Sequence, residues 1–316
     1  MSTLSIITVT YQSAEKLPDF LASAQSAASE AECIVVDNAS TDRTARVAHQ
    51  RGAHQVVISS TNVGFGRACN LGADCASGEW LLFANPDLII ESIPTLGQTN
   101  SRPFGLAGGW LSESGNPCKP SLRAEPTLAE EAIAQLLYRL IPNGISRFAT
   151  QRRRPARWAS GALLLCRRSE FLELGGFDPR FFLYFEDRDL AGRYRRRDFP
   201  LRLDAQLRGL HGHGESSSGV GSWVREAWSL VSWIEYRGIW HGAPAARHAA
   251  RLTLSTLSTI RSLGELVHSD RAKKKAAEAA QIIAFLRAFE QHLAGMTGFY
   301  PFAGAALHDL FSDRHV

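Results

Sequence analysis

Four short apolar runs recur between residues 4 and 90, Leu4-Ser-Ile-Ile-Thr-Val9, Cys33-Ile-Val-Val36, Val56-Val-Ile58 and Trp80-Leu-Leu-Phe83, with polar, helix-compatible stretches between them. The runs do not alternate apolar with polar, which is the pattern of strands buried on both faces of a parallel sheet. Ser40-Thr-Asp-Arg-Thr44 carries a helix-capping signal, and Gly52 suits the end of the helix that follows. The repeat of strand and helix predicts an α/β open sheet. From Leu106 to Pro155 the pattern loosens into glycine, proline and arginine, with one helix expected near Leu128 to Leu140. Order returns in the apolar run Trp158 to Cys166, expected as a strand, and in the turn Leu174-Gly-Gly-Phe-Asp-Pro179. Beyond Val220 the chain reads as helical, so a sheet domain over 1–219 and a C-terminal helical appendage over 220–316 are expected.

In open α/β sheets, ligands bind beyond the carboxyl ends of the strands. Those ends carry Thr10 and Tyr11, Asp37 and Asn38, Asn62, and the tripeptide Asn85-Pro-Asp87. Any one of them is compatible with ordinary turn chemistry, since Asn, Asp and Pro are turn formers. Together they supply an aromatic face for a base and carboxylates for a base N–H or ribose hydroxyl. Asp87, at the end of a buried strand, also suits a phosphate-bound Mg²⁺ or Mn²⁺, which takes hard oxygen ligands.

Asn62-Val-Gly-Phe-Gly-Arg-Ala-Cys-Asn70 has two glycines opening a helix, but Cys69 stands where a dinucleotide fingerprint needs its third glycine, and the segment follows the third strand. Hydride transfer is therefore disfavoured. Gly64 and Gly66 instead suggest close approach of a ligand, with Asn62 and Asn70 beneath it. Phe181 to Leu190 delivers Glu186, Asp187 and Asp189 after an aromatic run. They suit either capping and ion pairing in a first helical turn or a general base at a pocket wall. His211-Gly-His-Gly-Glu-Ser-Ser217 closes the last expected strand, and its imidazoles can complete a metal shell.

The net charge of +4 is mild, and the arginines cluster at Arg147, Arg152, Arg153, Arg154 and Arg157 and again at Arg193 to Arg197. Such fields suit an anionic partner, but no nucleic-acid recognition module accompanies them, so no nucleic acid is expected. The five cysteines, Cys33, Cys69, Cys75, Cys118 and Cys166, form no Cys-x-x-Cys pair and read as reduced thiols. With no apolar run of spanning length and no leader-like start, a cytoplasmic chain is expected.

These motifs together resemble family 2 glycosyltransferases of the GT-A fold, in particular their bacterial rhamnosyltransferase branch. The carrying residues are Ile7-Thr-Val-Thr-Tyr11, Val35 to Asp42, Asn62 to Asn70, Leu82 to Asp87, Ser160-Gly-Ala162, Gly175 to Asp178, Phe182 to Asp187 and His211 to Ser217. The resemblance implies a mixed, mostly parallel sheet flanked by helices, and an inverting hexosyltransferase drawing on a nucleotide-sugar donor. It implies a nucleotide cleft formed by Thr10, Tyr11, Asp37, Asn62, Gly64, Asn70 and Asn85, with Tyr11 and Asp37 at the base. Asp87 and His211 would hold Mg²⁺ or Mn²⁺, and Asp187, with Glu186 beside it, would be the catalytic base. Many relatives place a carboxylate where this chain has Asn85, which implies weaker metal binding or binding carried mostly by the diphosphate. The implied donor is dTDP-L-rhamnose, with UDP-galactofuranose or UDP-GlcNAc as the alternative. The implied acceptor is a cell-surface glycan or a polyprenyl-diphosphate-linked saccharide. A nucleotidyltransferase would want a basic, glycine-rich loop where Tyr11-Gln-Ser-Ala-Glu15 stands, and a noncatalytic nucleotide- or carbohydrate-binding module would leave Asp87, Glu186 and Asp187 without a use.

The start of the appendage adds an expectation about partners. On a helical wheel Trp223, Val224, Ala227, Trp228, Leu230, Val231, Trp233 and Ile234 spread over roughly 220°, more than packing on one side requires. Two outcomes are open. Trp228 or Trp233 meets the cytoplasmic face of the inner membrane or a second copy of the chain, or the later helices bury them.

Overall fold

A computed structural model of the chain describes residues 3–97, 104–113, 116–126, 130, 155–211, 222–266 and 270–294. The helix expected over Leu128–Leu140, the arginines from Arg147 to Arg154 and the loop after His211 lie outside these residues, except for Glu130.

In chain order the first half runs β1 (Leu4–Thr10), α1 (Leu17–Ala27), β2 (Glu32–Asp37), α2 (Thr44–Gln50), β3 (Gln55–Ile58), α3 (Phe65–Cys75) and β4 (Trp80–Ala84). The four strands are parallel, in the order β3-β2-β1-β4. Successive residues of β1 enter opposite cores. Leu4 and Ile6 join Leu17, Phe20 and Leu21 of α1, while Ile7 and Val9 join Ala68, Cys69 and Ala73 of α3. This two-sided burial is why the strands read as unbroken apolar runs, each full side chain contributing about 1.5–3 kcal/mol.

The second half adds β5 (Leu88–Ser92), β6 (Leu106–Glu113), β7 (Asn116–Pro120), β8 (Leu122–Ala124), β9 (Ala156–Ala159), β10 (Leu163–Arg167), α4 (Arg168–Glu173), α5 (Glu186–Arg196) and β11 (Leu201–His211). Here the sheet is mixed. β10 is antiparallel to both β4 and β6, β11 is parallel to β6 and antiparallel to β5, and β7 pairs with β6. β8 and β9 form a separate antiparallel pair.

Two expectations are corrected. The glycine-rich stretch after Leu106 is a strand, not an irregular segment. A Cβ on Gly108 would lie 2.3 Å from the Ser121 hydroxyl, and one on Gly109 would lie 2.5 Å from the Leu207 carbonyl oxygen. These glycines admit close backbone approach within the sheet, a use of strand glycine that composition does not distinguish from a break. The run Trp158–Cys166 is two strands, β9 and β10, separated at Ser160-Gly-Ala162 because that turn bonds to other segments of the sheet domain.

The chain forms two compact units. The first holds residues up to Ala124, Pro155–Phe182 and the stretch from Glu186 through β11. The second holds Leu183–Phe185 and the helices α6 (Ser222–His241), α7 (Ala243–Leu266) and α8 (Asp270–Ala294). Within the helical unit the Ser232 hydroxyl donates to the Leu183 carbonyl at 2.8 Å, and Phe185 packs on Tyr236. Trp228 and Trp233 are 5% and 1% exposed, and Trp228 lies edge-on to Phe285 of α8. The expectation that either tryptophan faces a membrane or partner is therefore overturned, because the later helices cover the broad apolar face. Among the described residues no helix is long and apolar enough to cross a membrane.

Candidate functional site

The tips of β1, β2 and β3 are tied together by short polar side chains. The Thr10 hydroxyl donates to the Val36 carbonyl, and the Asn38 backbone N–H donates to the Thr10 carbonyl. Asp37 is buried and accepts from the Ser40 N–H, while half-buried Tyr11 follows Thr10, the register partner of Asp37 at the end of β1. The Asn38 amide donates to Asn62 Oδ1 at 2.8 Å and accepts from the Val63 N–H, and Asn62 Oδ1 also accepts from the Gly64 N–H. Asn38 and the Asn62 oxygen thus hold the loop ahead of α3 in place. Asn38, named among the strand ends but not in the implied cleft, is the centre of that web.

Gly64 has φ +88°, and a Cβ there would lie 2.3 Å from the Phe182 carbonyl oxygen. That same oxygen accepts the Phe65 N–H. The close approach that requires glycine is thus made by the protein's own backbone, where the sequence suggested a ligand. Asn70 likewise turns inward, its amide accepting from the Phe177 N–H and donating to the Phe177 carbonyl, both at 2.8 Å. Both ends of Asn70 are spent on the Gly175-Gly-Phe177 turn, so its amide braces that turn and does not present itself to a nucleotide.

Asn85-Pro-Asp87 turns the chain from β4 into β5. The Asn85 N–H donates to the Ala162 carbonyl, and the Leu88 N–H donates back to the Asn85 carbonyl. The Asp87 side chain is 1% exposed, and among the described residues neither carboxylate oxygen has a hydrogen-bond partner. Its Oδ2 lies 3.5 Å from His211 Nδ1, a proximity produced by the register of β11 on β5, which pairs His211 with Leu88. A buried carboxylate without donors is costly unless a cation or proton compensates it. An oxygen donor facing an imidazole suits a hard divalent cation, so the two residues fit one. Among the described residues no cluster of three or more His, Cys, Asp or Glu accompanies them, and further ligands would have to come from a bound molecule.

Asp187 stands in the first turn of α5, half-buried, with Oδ2 accepting the Gly161 N–H at 3.1 Å and Oδ1 accepting the Arg188 N–H at 2.8 Å. Gly161 is adjacent to Ala162, which receives the Asn85 N–H. One turn therefore holds the Asp187 carboxylate on one side and the Asn85–Asp87 turn on the other. Glu186 is buried, its Cβ 3.4 Å from where a Cβ on Gly66 would be, and its Oε2 has no hydrogen-bond partner. Burial first, then the neighbouring Asp187 charge, pushes Glu186 well above the ordinary carboxylate range. Burial also raises Asp187, opposed by the Gly161 N–H and the Arg188 charge. Both carboxyls are thus pushed toward the neutral form, Glu186 the more strongly, while the two N–H groups favour the charged form of the Asp187 carboxylate. Such a carboxylate can take a proton from a hydroxyl brought beside it. Asp189 has a structural part, pairing with Arg193 at 2.8 Å.

Buried thiols lie in the same domain without chemistry: burial pushes Cys33 and Cys166 up to about 12. The sequence reading brought Asp87, His211 and Asp187 forward, and the fold gathers the first two directly and ties the third to them through Gly161-Ala162. It did not single out Gly161, whose only signal was its place in Ser160-Gly-Ala162.

The family model described as Glycosyl transferase family 2 matches residues 5–157. A protein of Mycobacterium tuberculosis called N-acetylglucosaminyl-diphospho-decaprenol L-rhamnosyltransferase is 32% identical over 213 residues, covering 60% of this chain and 69% of its own length. Rhamnosyltransferase WbbL of Escherichia coli K12 is 25% identical over 167 residues, covering 51% of this chain and 62% of that protein. A solved mannosyltransferase of Pyrobaculum calidifontis, in complex with GDP-mannose and Mn²⁺, aligns with a TM-score of 0.49 and 16% identity, over 98% of this chain and 88% of its own.

Proposed function

The chain belongs to glycosyltransferase family 2, and from that premise we propose that it moves L-rhamnose from dTDP-L-rhamnose to a hydroxyl of a polyprenyl-diphosphate-linked saccharide, with inversion at the anomeric carbon. The enzyme class and the GT-A sheet domain follow from the family. The donor and the acceptor are inferred from the names of the mycobacterial and E. coli relatives.

One observation carries the reading. The Asp187 carboxylate, held by two backbone N–H groups, is tied through Gly161-Ala162 to the turn that bears Asp87, whose oxygens have no hydrogen-bond partner among the described residues. In the proposed reaction Asp187 takes the acceptor's hydroxyl proton as that oxygen bonds to the anomeric carbon. The bond from that carbon to the diphosphate breaks, and its electron pair leaves with the nucleoside diphosphate. The Gly161 and Arg188 backbone N–H groups orient the Asp187 carboxylate, burial pushes the adjacent Glu186 toward its neutral form, and Asp37 with Tyr11 receives the base of the nucleotide. Asp87 and His211 would hold Mg²⁺ or Mn²⁺, which when bound neutralises charge on the leaving diphosphate. No covalent sugar–enzyme species is needed, so no activated nucleophile is required.

The test is turnover of a panel of dTDP-rhamnose, UDP-galactofuranose and UDP-GlcNAc with an acceptor that carries N-acetylglucosamine on a short polyprenyl diphosphate. A β-configured donor is expected to give an α-linked product, and a β-linked product would overturn inversion. Turnover of a UDP-sugar alone would overturn the donor assignment.

A further inference from the structure

The loops that follow β1 and β2 are joined by side chains that take no part in the steps above. Gln12 stands in the left-handed backbone region at φ +51°, and Ala39 stands there at φ +64°, although that region favours glycine. Gln12 reaches three successive residues of the other loop. Its N–H donates to the Ser40 hydroxyl at 2.9 Å, its Nε2 donates to the Thr41 hydroxyl at 2.7 Å, and its Oε1 accepts the Asp42 N–H at 3.1 Å. Two bonds return from that loop: Asp42 Oδ2 accepts the Ala14 N–H at 3.2 Å, and the Thr44 hydroxyl accepts the Ser13 N–H at 2.9 Å. A left-handed residue other than glycine persists only where its surroundings over-determine it, and these bonds do so for Gln12.

The clamp sits between the two residues assigned to the nucleotide base. Ser40 gives its N–H to Asp37 Oδ1 at 3.2 Å and takes the Gln12 N–H on its hydroxyl, so it connects Asp37 to the residue that follows Tyr11. The other Asp37 oxygen accepts no hydrogen bond among the described residues. The half-buried Tyr11 side chain makes no hydrogen bond, ion pair or ring contact among them, while its backbone N–H and carbonyl both meet the Ser13 hydroxyl. No polar or ring contact aims the phenol, so its direction follows the backbone that carries it. That backbone is held by Gln12. A loop that spends part of its time in other conformations lowers affinity by the fraction lost.

We propose that Gln12 is a positioning residue for the nucleotide base, its clamp on Ser40, Thr41 and Asp42 fixing Tyr11 relative to Asp37 before the nucleotide arrives. This role rests on the assignment of Tyr11 and Asp37 to the base given above.

The experiment measures, by calorimetry on the full chain with Mn²⁺ present, the Kd of dTDP and of 2-deoxyribose 5-diphosphate, which lacks the base. The readout is the ratio of the two, in which any change at the diphosphate cancels. Tyr11→Ala tests the assignment itself and is expected to shrink the preference for dTDP about tenfold, the worth of one stacked base. Gln12→Ala removes two side-chain hydrogen bonds of the clamp and is expected to shrink the preference about fivefold. Thr41→Val, which removes only the acceptor for Nε2, is expected to shrink it about twofold. In a Tyr11→Ala background, Gln12→Ala is expected to add nothing, because it acts through Tyr11. Equal losses on both ligands, an unchanged ratio in Gln12→Ala, or additive losses in the double variant would overturn the clamp and leave the base assignment standing. An unchanged ratio in Tyr11→Ala, or a wild type that binds both ligands alike, would instead overturn the base assignment, and the clamp with it.

Discussion

Asp87 and Asp187 are the same side chain in opposite settings. Asp87 ends a strand turn with both oxygens buried and no hydrogen-bond donor, facing the His211 imidazole. Asp187 begins a helix with a backbone N–H on each oxygen and the buried Glu186 side chain beside it in sequence. The first setting suits a cation, and the second steadies a carboxylate while leaving it able to receive a proton. One residue type is thus proposed for two roles through what surrounds it.

The largest effect that would break this contrast is on Asp187. Asp187→Asn keeps the shape and removes the proton acceptor, so transfer should fall by about 10²–10⁴-fold while calorimetric binding of dTDP persists. Retained turnover would end its assignment as base. Asp87→Asn should act in the opposite manner, weakening Mn²⁺-supported dTDP binding by at least about tenfold. Binding that remains as sensitive to Mn²⁺ as in the wild type would remove Asp87 as a ligand.

A smaller effect concerns Glu186. Its folded-state pKa lies above the ordinary value of 4.5, so its stability contribution is complete below that pH and is lost as pH rises toward the folded pKa. Glu186→Gln should remove this loss, and urea midpoints should show the variant gaining on the wild type from about pH 4.5 upward, by at most about 1.4 kcal/mol per pH unit. A stability gap that is constant with pH would show that Glu186 is not held protonated. The smallest change is expected from Asn85→Asp, which adds a second carboxylate to the turn and should tighten Mn²⁺-supported dTDP binding several-fold by titration. No tightening would place residue 85 outside the metal's reach.

How much of this was legible in the chain differs by region. The parallel half of the sheet was, because strands buried on both faces must be apolar at every position, as Ile6 and Ile7 show in their opposite cores. The half around β6 was not. Gly108 and Gly109 look like breakers until the Ser121 side chain and the Leu207 backbone are seen against them. Gly64 and Asn70 were legible as special positions but not in their use, since a glycine that admits a ligand and one that admits Phe182 have the same letter. The tryptophans of α6 were legible as a broad apolar face, and α8 decided what covers it.

The sequence by itself determined the order of strands and helices at the start of the chain, the polar residues at the strand ends and the carboxylates able to carry chemistry. These are local properties, fixed by burial period and by side-chain functional groups. Tertiary structure decided which of them meet. The register of β11 on β5 sets His211 against Asp87, and the turn at Gly161-Ala162 joins Asp187 to Asn85. Pairings of this kind join residues 26 to 124 positions apart, where no periodicity reaches and only the packed sheet supplies the distance.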